Sequence, residues 1–150
     1  MTSDPLNDVL DNLSHMPKIH RTLQQGIFKN ALAGFSRDVT RHHLEILKVL
    51  RNEGTLHIAE IADLLLISKP QMTRLLDELI ELQLVERQPD TEDRRKINIT
   101  LTDKGQRVSE EFRLNIEESI RTWLSALNDD ELRELSNSLK TIGNIISKLR

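Results

Sequence analysis

Apolar residues recur at intervals of three and four along most of this chain, the spacing that places them on one face of an α-helix. The first such run begins at Pro5 and is expected to kink or break at Pro17, because a proline inside a helix loses a hydrogen bond and crowds the preceding turn. A second helical piece follows as far as Gly34. The next predicted helix is capped by Thr40 and ends at Gly54, a residue suited to a left-handed backbone.

Two short predicted helices lie close together in the middle of the chain. The first covers about residues 57–65, and the second begins at Ser68, with Gln71 three positions later in the pattern of a capping box. Pro70 is tolerated because it lies in the first turn. The second helix has an apolar face of Met72, Leu75, Leu76 and Leu79, with Lys69, Gln71, Thr73 and Arg74 off that face.

A β-hairpin is predicted after these helices. Its strands are residues 84–87 (LVER) and 97–101 (INITL), and the charged connection between them is longer than a tight two-residue turn. The alternation in the second strand predicts that Ile97, Ile99 and Leu101 face the core. A long helix from Thr102 to about Leu127 and a further helix capped by Asp129 complete the chain.

Composition narrows the class of protein. The 150 residues fit one domain, and an aromatic share of only 3% favours aliphatic packing between helices. There is no cysteine, which excludes disulfides, thiol nucleophiles and thiolate metal sites. No segment approaches the roughly 18 apolar residues of a membrane span, and the N-terminus lacks a signal-peptide pattern. A cytoplasmic protein without a membrane partner or a cofactor is therefore expected.

The middle of the chain carries the functional signal. A formal net charge of −3 argues against bulk attraction to nucleic acid, so any DNA binding must depend on local arrangement. Two short helices followed by a hairpin with a basic tip make a helix-turn-helix with a wing. Such a second helix fits the major groove, and an arginine on a narrow hairpin enters the minor groove. The predicted fold class is mainly α with a small β-hairpin wing.

Residues 58–105 contain four motifs in order: IAEIADLLLISKPQMTRLLDEL, LVER, DTEDRRKINITLT and LTDKG. This stretch resembles the core of the MarR family of bacterial and archaeal winged helix-turn-helix regulators. Each piece is weak by itself, but the set is specific in this order and spacing. The helices before and after the core match the family layout, so the resemblance covers essentially the whole chain. Two positions where such proteins often carry glycine are Leu66 and Gln83 here. A non-glycine residue in a left-handed turn costs on the order of 1 kcal/mol.

The resemblance implies one MarR-type domain over residues 1–150. Residues 40–105 would form the DNA-binding lobe, while residues 1–36 and 106–150 would form long N- and C-terminal dimerisation helices of an obligate homodimer. It also implies that Asp93 holds Arg95 for the minor groove by an ion pair, and that Arg94 and Lys96 add phosphate contacts. The residues implied to face the major groove are Ser68, Lys69, Pro70, Gln71, Thr73 and Arg74.

Dimerisation is also favoured without the resemblance. The apolar stripes of Leu6 to Ile19 and Leu132 to Leu149 lie at opposite chain ends, and the lobe is expected to satisfy its own core. Long amphipathic helices beyond that lobe need a partner surface. A two-fold dimer predicts operator half-sites about one helical turn, roughly 10 bp, apart.

Other interpretations remain open at this point. Arg74 is also spaced for a structural i,i+4 ion pair with Glu78, and the two roles are compatible. Five histidines would allow a metal-responsive regulator, although none has i,i+4 spacing and no metal site is predicted. A winged-helix protein-interaction subunit without DNA binding is a further alternative, but it has no use for a wing of Asp93 followed by three basic residues. An enzyme is not expected, because the chain lacks a phosphate-binding glycine loop, HExxH and GxSxG.

The sequence therefore predicts a homodimeric, sequence-specific transcriptional regulator of double-stranded DNA. We expect a repressor of pseudo-palindromic promoter sites, released when a phenolic or drug-like small molecule fits between the lobe and the dimer helices. Such an effector must prefer the lobe spacing that does not match the DNA grooves.

Overall fold

The computed structural model describes residues 4–35 and 37–149. In chain order the elements are α1 (Pro5–Ser14), α2 (Met16–Ala31), α3 (Arg41–Glu53), β1 (Leu56–His57), α4 (Ile58–Leu65), α5 (Lys69–Glu81), β2 (Val85–Pro89), β3 (Ile97–Leu101), α6 (Asp103–Leu124), α7 (Asp129–Ile146) and a 3₁₀ turn (Ser147–Leu149). None of the helices in this part of the chain has the length and apolar character needed to cross a membrane.

The chain divides into two compact units. The unit Asn30–Ile116, here called the lobe, contains α3 to β3. Its core is aliphatic, with Leu44, Ile61, Met72, Leu76 and Ile99 all fully buried. Because these side chains come from α3, α4, α5 and β3, the two middle helices and the hairpin pack on one core. This bears out the prediction of a mainly helical fold with a small wing.

The other unit, Met1–Lys29 with Glu117–Arg150, here called the terminal unit, is built differently. Both α1 and α7 are amphipathic, yet every described residue of α1 is exposed. Leu10 is 56% exposed and Ile142 is 53% exposed. Among the described residues, each fully buried apolar side chain belongs to the lobe and none to the terminal unit. In its described part, the terminal unit therefore presents apolar stripes and has no fully buried apolar side chain.

The predicted break near Pro17 is present. Helix α1 ends at Ser14, and α2 begins at Met16 with Pro17 in its first turn, where the missing backbone N–H costs little. His15 lies between the two helices. The caps predicted at Thr40 and Gly54 are also confirmed, since Thr40 accepts a hydrogen bond from the His43 backbone and Gly54 has φ of 82°.

Three details of the prediction are wrong. The sheet has a third strand, β1, whose residue Leu56 pairs with Ile99, giving the order β1–β3–β2. Ile97 is 42% exposed instead of facing the core, because it pairs with Pro89 at the end of the hairpin next to the tip. Helix α7 is capped by Asn128, one residue before the predicted cap.

The LTDKG sequence at residues 101–105 joins β3 to α6 and contacts the turn between α5 and β2. The Thr102 hydroxyl donates to the Gln83 carbonyl at 2.6 Å and accepts from the Gly105 backbone at 3.0 Å. A Cβ on Gly105 would lie 1.9 Å from the Leu84 carbonyl oxygen, so only glycine allows this approach. The turn that leads from α5 into β2 is thereby fixed.

Both non-glycine turn residues noted in the sequence adopt left-handed backbone. Leu66 has φ of 54° and is 94% exposed, and Gln83 has φ of 60°. Both side chains are exposed, so burial of apolar surface does not offset the steric cost of either conformation. Each turn therefore carries the steric cost that L-residues have in this region.

Glycine at either position is expected to stabilise the protein. Leu66→Gly and Gln83→Gly should each raise the free energy of unfolding by about 0.5–1 kcal/mol, since relief of the left-handed strain exceeds the added entropy of the unfolded chain. Urea unfolding at one fixed protein concentration measures this effect. Leu64→Gly, at an exposed position inside α4, is the control and should lose stability. A loss of stability in the two turn variants would contradict the assigned strain.

Candidate nucleic-acid interface

Helices α4 and α5 form the helix-turn-helix. Leu66 ends α4, and Ser68 caps α5 by accepting a hydrogen bond from the Gln71 backbone at 3.4 Å, which is the Ser68 half of the predicted capping box. Pro70 lies in the first turn of α5, as predicted. The first backbone N–H groups of a helix attract anions, so this end of α5 suits a phosphate.

The polar side of α5 is exposed over its first half. Its buried face is Met72, Leu75, Leu76 and Leu79, as the spacing predicted. Thr73 donates its hydroxyl proton back to the Lys69 carbonyl at 3.0 Å, which leaves the hydroxyl oxygen as an outward acceptor. The structure places six predicted residues together on the exposed surface: Ser68, Lys69, Pro70, Gln71, Thr73 and Arg74.

The wing is the β2–β3 hairpin, and two aspartates shape its tip. Asp90 accepts hydrogen bonds from the backbone N–H groups of Glu92 and Asp93, at 2.8 Å and 3.0 Å. The Asp93 carbonyl in turn accepts from the Lys96 backbone at 2.9 Å. These bonds lower the pKa of Asp90, since both N–H groups favour the charged carboxylate. The tip is therefore an ordered pair of turns.

The ion pair implied between Asp93 and Arg95 is present. Asp93 Oδ1 accepts from the Arg95 backbone at 3.0 Å and from Arg95 Nε at 3.2 Å. The Arg95 side chain is 91% exposed, so the pair stabilises the fold little but restricts where the guanidinium points. The hydrogen bond from the Arg95 side chain also lowers the pKa of Asp93, because it favours the charged form of the carboxylate. Arg94 and Lys96 flank it and are exposed.

Sequence reasoning missed two residues that support the wing. Asp90 is the first, although an aspartate two and three residues before the N–H groups that it binds is the signature of an Asx turn. His57 is the second, with Nε2 at 3.5 Å from Asp90 Oδ2. No local pattern links these residues, because His57 comes from β1, the strand that the alternation did not reveal.

The histidines lie in separate environments. His43 contacts Glu78, His57 faces Asp90, and His20 contacts Gln24. Within residues 4–35 and 37–149, no three histidine, aspartate or glutamate side chains are grouped as a metal site would require. The metal-responsive alternative thus gains no support from the described residues.

A helix-turn-helix with a positioned basic wing defines the winged helix-turn-helix class of proteins. The model of the MarR family matches residues 37–96, which include α5 and most of the wing. Over this region the chain is similar to the MarR family of transcriptional regulators, and the curated relatives that it matches are transcriptional regulators and not enzymes.

Curated relatives agree with this similarity. The HTH-type transcriptional repressor MdtR of Bacillus subtilis is 30% identical over 99 residues, which span 66% of this chain and 64% of that protein. YsmB of Bacillus subtilis, an uncharacterised HTH-type transcriptional regulator, is 29% identical over 142 residues and covers 93% of both chains.

Solved structures share the fold. Apo MarR from E. coli has a TM-score of 0.76 at 24% identity, covering 89% of this chain and 95% of MarR. A mutant MarR from E. coli was solved with operator DNA; its TM-score is 0.68 at 21% identity, covering 93% of this chain and 99% of that one. BpsR of Bordetella bronchiseptica, whose DNA binding is regulated by 6-hydroxynicotinic acid, has a TM-score of 0.66 at 20% identity, covering 88% and 98%.

Proposed function

We propose that this protein binds double-stranded DNA in a sequence-specific manner. The recognition helix α5 would enter the major groove with the six exposed residues of its first half, and Arg95 would enter the adjacent minor groove. The observation that carries this proposal is the Asp93–Arg95 pair at the tip of an ordered hairpin. A merely solvated turn gains nothing from fixing the direction of an exposed guanidinium.

The acidic net charge is compatible with this role. Five exposed basic residues lie on the first half of α5 and at the tip of the wing: Lys69, Arg74, Arg94, Arg95 and Lys96. Phosphate attraction depends on the charges at the contact surface, and the Debye length of about 8 Å at physiological salt screens charges farther away. Local placement can therefore replace a basic composition.

Homodimerisation belongs to the same proposal. The terminal unit has apolar stripes on α1 and α7 but no fully buried apolar side chain among its described residues. Burying one such side chain stabilises an assembly by roughly 1.5–3 kcal/mol. We assign dimerisation to residues 1–36 and 106–150 and DNA binding to residues 40–105, within one domain. A second copy with the same stripes would present two lobes to two half-sites.

Repression and effector control complete the proposal. Competition with polymerase for promoter DNA in the cytoplasm would make the protein a repressor, the activity that MdtR has by name. A phenolic or drug-like effector is proposed by analogy with BpsR, whose DNA binding responds to 6-hydroxynicotinic acid. The ligand would need to bind the DNA-incompetent state more tightly.

Selection from a random DNA library tests the proposed function. The purified protein should enrich a near-palindrome whose half-sites are centred roughly 10 bp apart. Hydroxyl-radical footprinting should then show protection of both major grooves and of the flanking minor grooves. Enrichment of no sequence, with binding equal on all duplexes or absent, would favour a protein-interaction subunit instead.

A further inference from the structure

A buried histidine links the core of the lobe to the recognition helix. His43, in the first turn of α3, is 2% exposed. Its Nδ1 atom lies 3.1 Å from the Thr40 backbone N–H, which can only donate. Nδ1 must therefore accept, so the ring proton of the neutral histidine resides on Nε2. That atom donates to Glu78 Oε2 on α5 at 2.8 Å.

Glu78 passes this constraint on to Arg74. Its second oxygen, Oε1, accepts from Arg74 Nη1 at 2.6 Å. The hydrogen bond from His43 is the largest influence on Glu78 and lowers its pKa, and Arg74 acts in the same direction. The carboxylate is thus held between one buried and one exposed partner, and both favour its charged form.

This arrangement is more than an ordinary surface pair. An i,i+4 pair between two free side chains contributes little, because both must be ordered to form it. Here the carboxylate is already fixed by a side chain in the core. The Arg74 side chain is 62% exposed, and in the described part of the chain Glu78 is the only acceptor that binds its guanidinium. The remaining N–H donors of Arg74 therefore stay available for a ligand.

We propose that His43 and Glu78 are positioning residues that hold Arg74 in its DNA-binding orientation. The inference rests on the proposed DNA binding, since it assigns a purpose to an arginine of that interface. An arginine ordered before binding loses less rotamer freedom on reaching a base or a phosphate. The core of the lobe thereby determines the geometry of a contact at its surface.

The proposal is tested by whether Glu78→Ala raises or lowers the affinity for DNA. Removal of an acid near DNA should by itself raise affinity, whereas loss of positioning should lower it by about 3- to 10-fold. The matched control is Glu81→Ala, which removes the same charge from the same helix. Glu81 lines the same cavity as His43 and Glu78, but in the described structure it binds neither His43 nor Arg74. The probe is the duplex that the wild-type protein selects from a random library.

A double-mutant cycle separates positioning from general stability. Glu78→Ala should have no weakening effect in an Arg74→Ala background, because the residue that it positions is gone. Both single variants should relax base preference at the same half-site position, and Glu81→Ala should not. His43→Gln, which retains a donor toward Glu78, should preserve affinity better than His43→Leu, with folding checked by thermal unfolding.

Three results would overturn the inference. The first is DNA binding by Glu78→Ala as tight as that of Glu81→Ala, and the second is a loss of affinity in Glu78→Ala that persists without Arg74. Either of these would leave the proposed function intact. Failure of the wild type to select any duplex would overturn the proposed function, and the positioning role with it.

Discussion

A glutamate at Leu10 or Ile142 should convert the proposed dimer to a monomer and weaken binding to its selected duplex by a factor of about 10²–10⁴. Both positions lie on the apolar stripes of the terminal unit, with 56% and 53% of the residue exposed in a single chain. In a dimer these side chains would be buried, and a charge there would be desolvated without a partner. Loss of the dimer would leave each lobe on one half-site, without the gain from linked binding.

Analytical ultracentrifugation and fluorescence anisotropy measure the two parts of this prediction. Circular dichroism should remain helical, since the buried apolar residues of the lobe are not altered. Asn144→Glu is the matched control, because it places the same charge on the opposite side of α7. A variant at Leu10 or Ile142 that remained dimeric and bound DNA normally would show that these stripes are not the interface.

Arg95→Ala should lower the affinity for the selected duplex by about 1–3 kcal/mol, or roughly 5- to 150-fold. The physical reason is the loss of a positive group from a narrow minor groove, where the negative potential is strongest. Folding stability should hardly change, because the Arg95 side chain is 91% exposed and its pair with Asp93 is a surface ion pair. Protection of the flanking minor grooves in a footprint should disappear while major-groove protection remains.

Arg94→Ala is the control for this variant, since it removes the same charge from the neighbouring residue of the wing. Arg94 has no described carboxylate partner to aim it. We expect a smaller loss that is uniform across sequences, together with a reduced salt dependence. Equal losses in the two variants, or a large loss of folding stability in Arg95→Ala, would argue against a positioned minor-groove arginine.

Features set by neighbouring residues were predictable from the sequence. Ser68 accepts a hydrogen bond from the backbone N–H three residues later, a spacing that the capping-box pattern encodes. The pair between Asp93 and Arg95 was implied by the family resemblance, and its two residues are close in the sequence. The left-handed turns at Leu66 and Gln83 were likewise indicated, because they stand where the resembling family often has glycine.

Features that depend on tertiary contacts were not predictable. His43 and Glu78 are 35 residues apart, and nothing in their spacing shows that α3 and α5 bring them together. Strand β1 has only two residues, which is too short for an alternating pattern. Ile97 follows the alternation of its strand, but the hairpin extends past the core at that point. Each of these features depends on how segments that are distant in the sequence pack against one another.

We propose that positioned arginines on α5 and the wing, and not bulk charge, bind DNA. A salt titration that compares the wild type with the Arg74→Ala/Arg95→Ala double variant, on the selected duplex and on a scrambled one, distinguishes the two possibilities. We predict steep salt dependence for the wild type, and loss in the double variant of most of the preference for the selected duplex. Equal binding by the two proteins across the titration would contradict the claim.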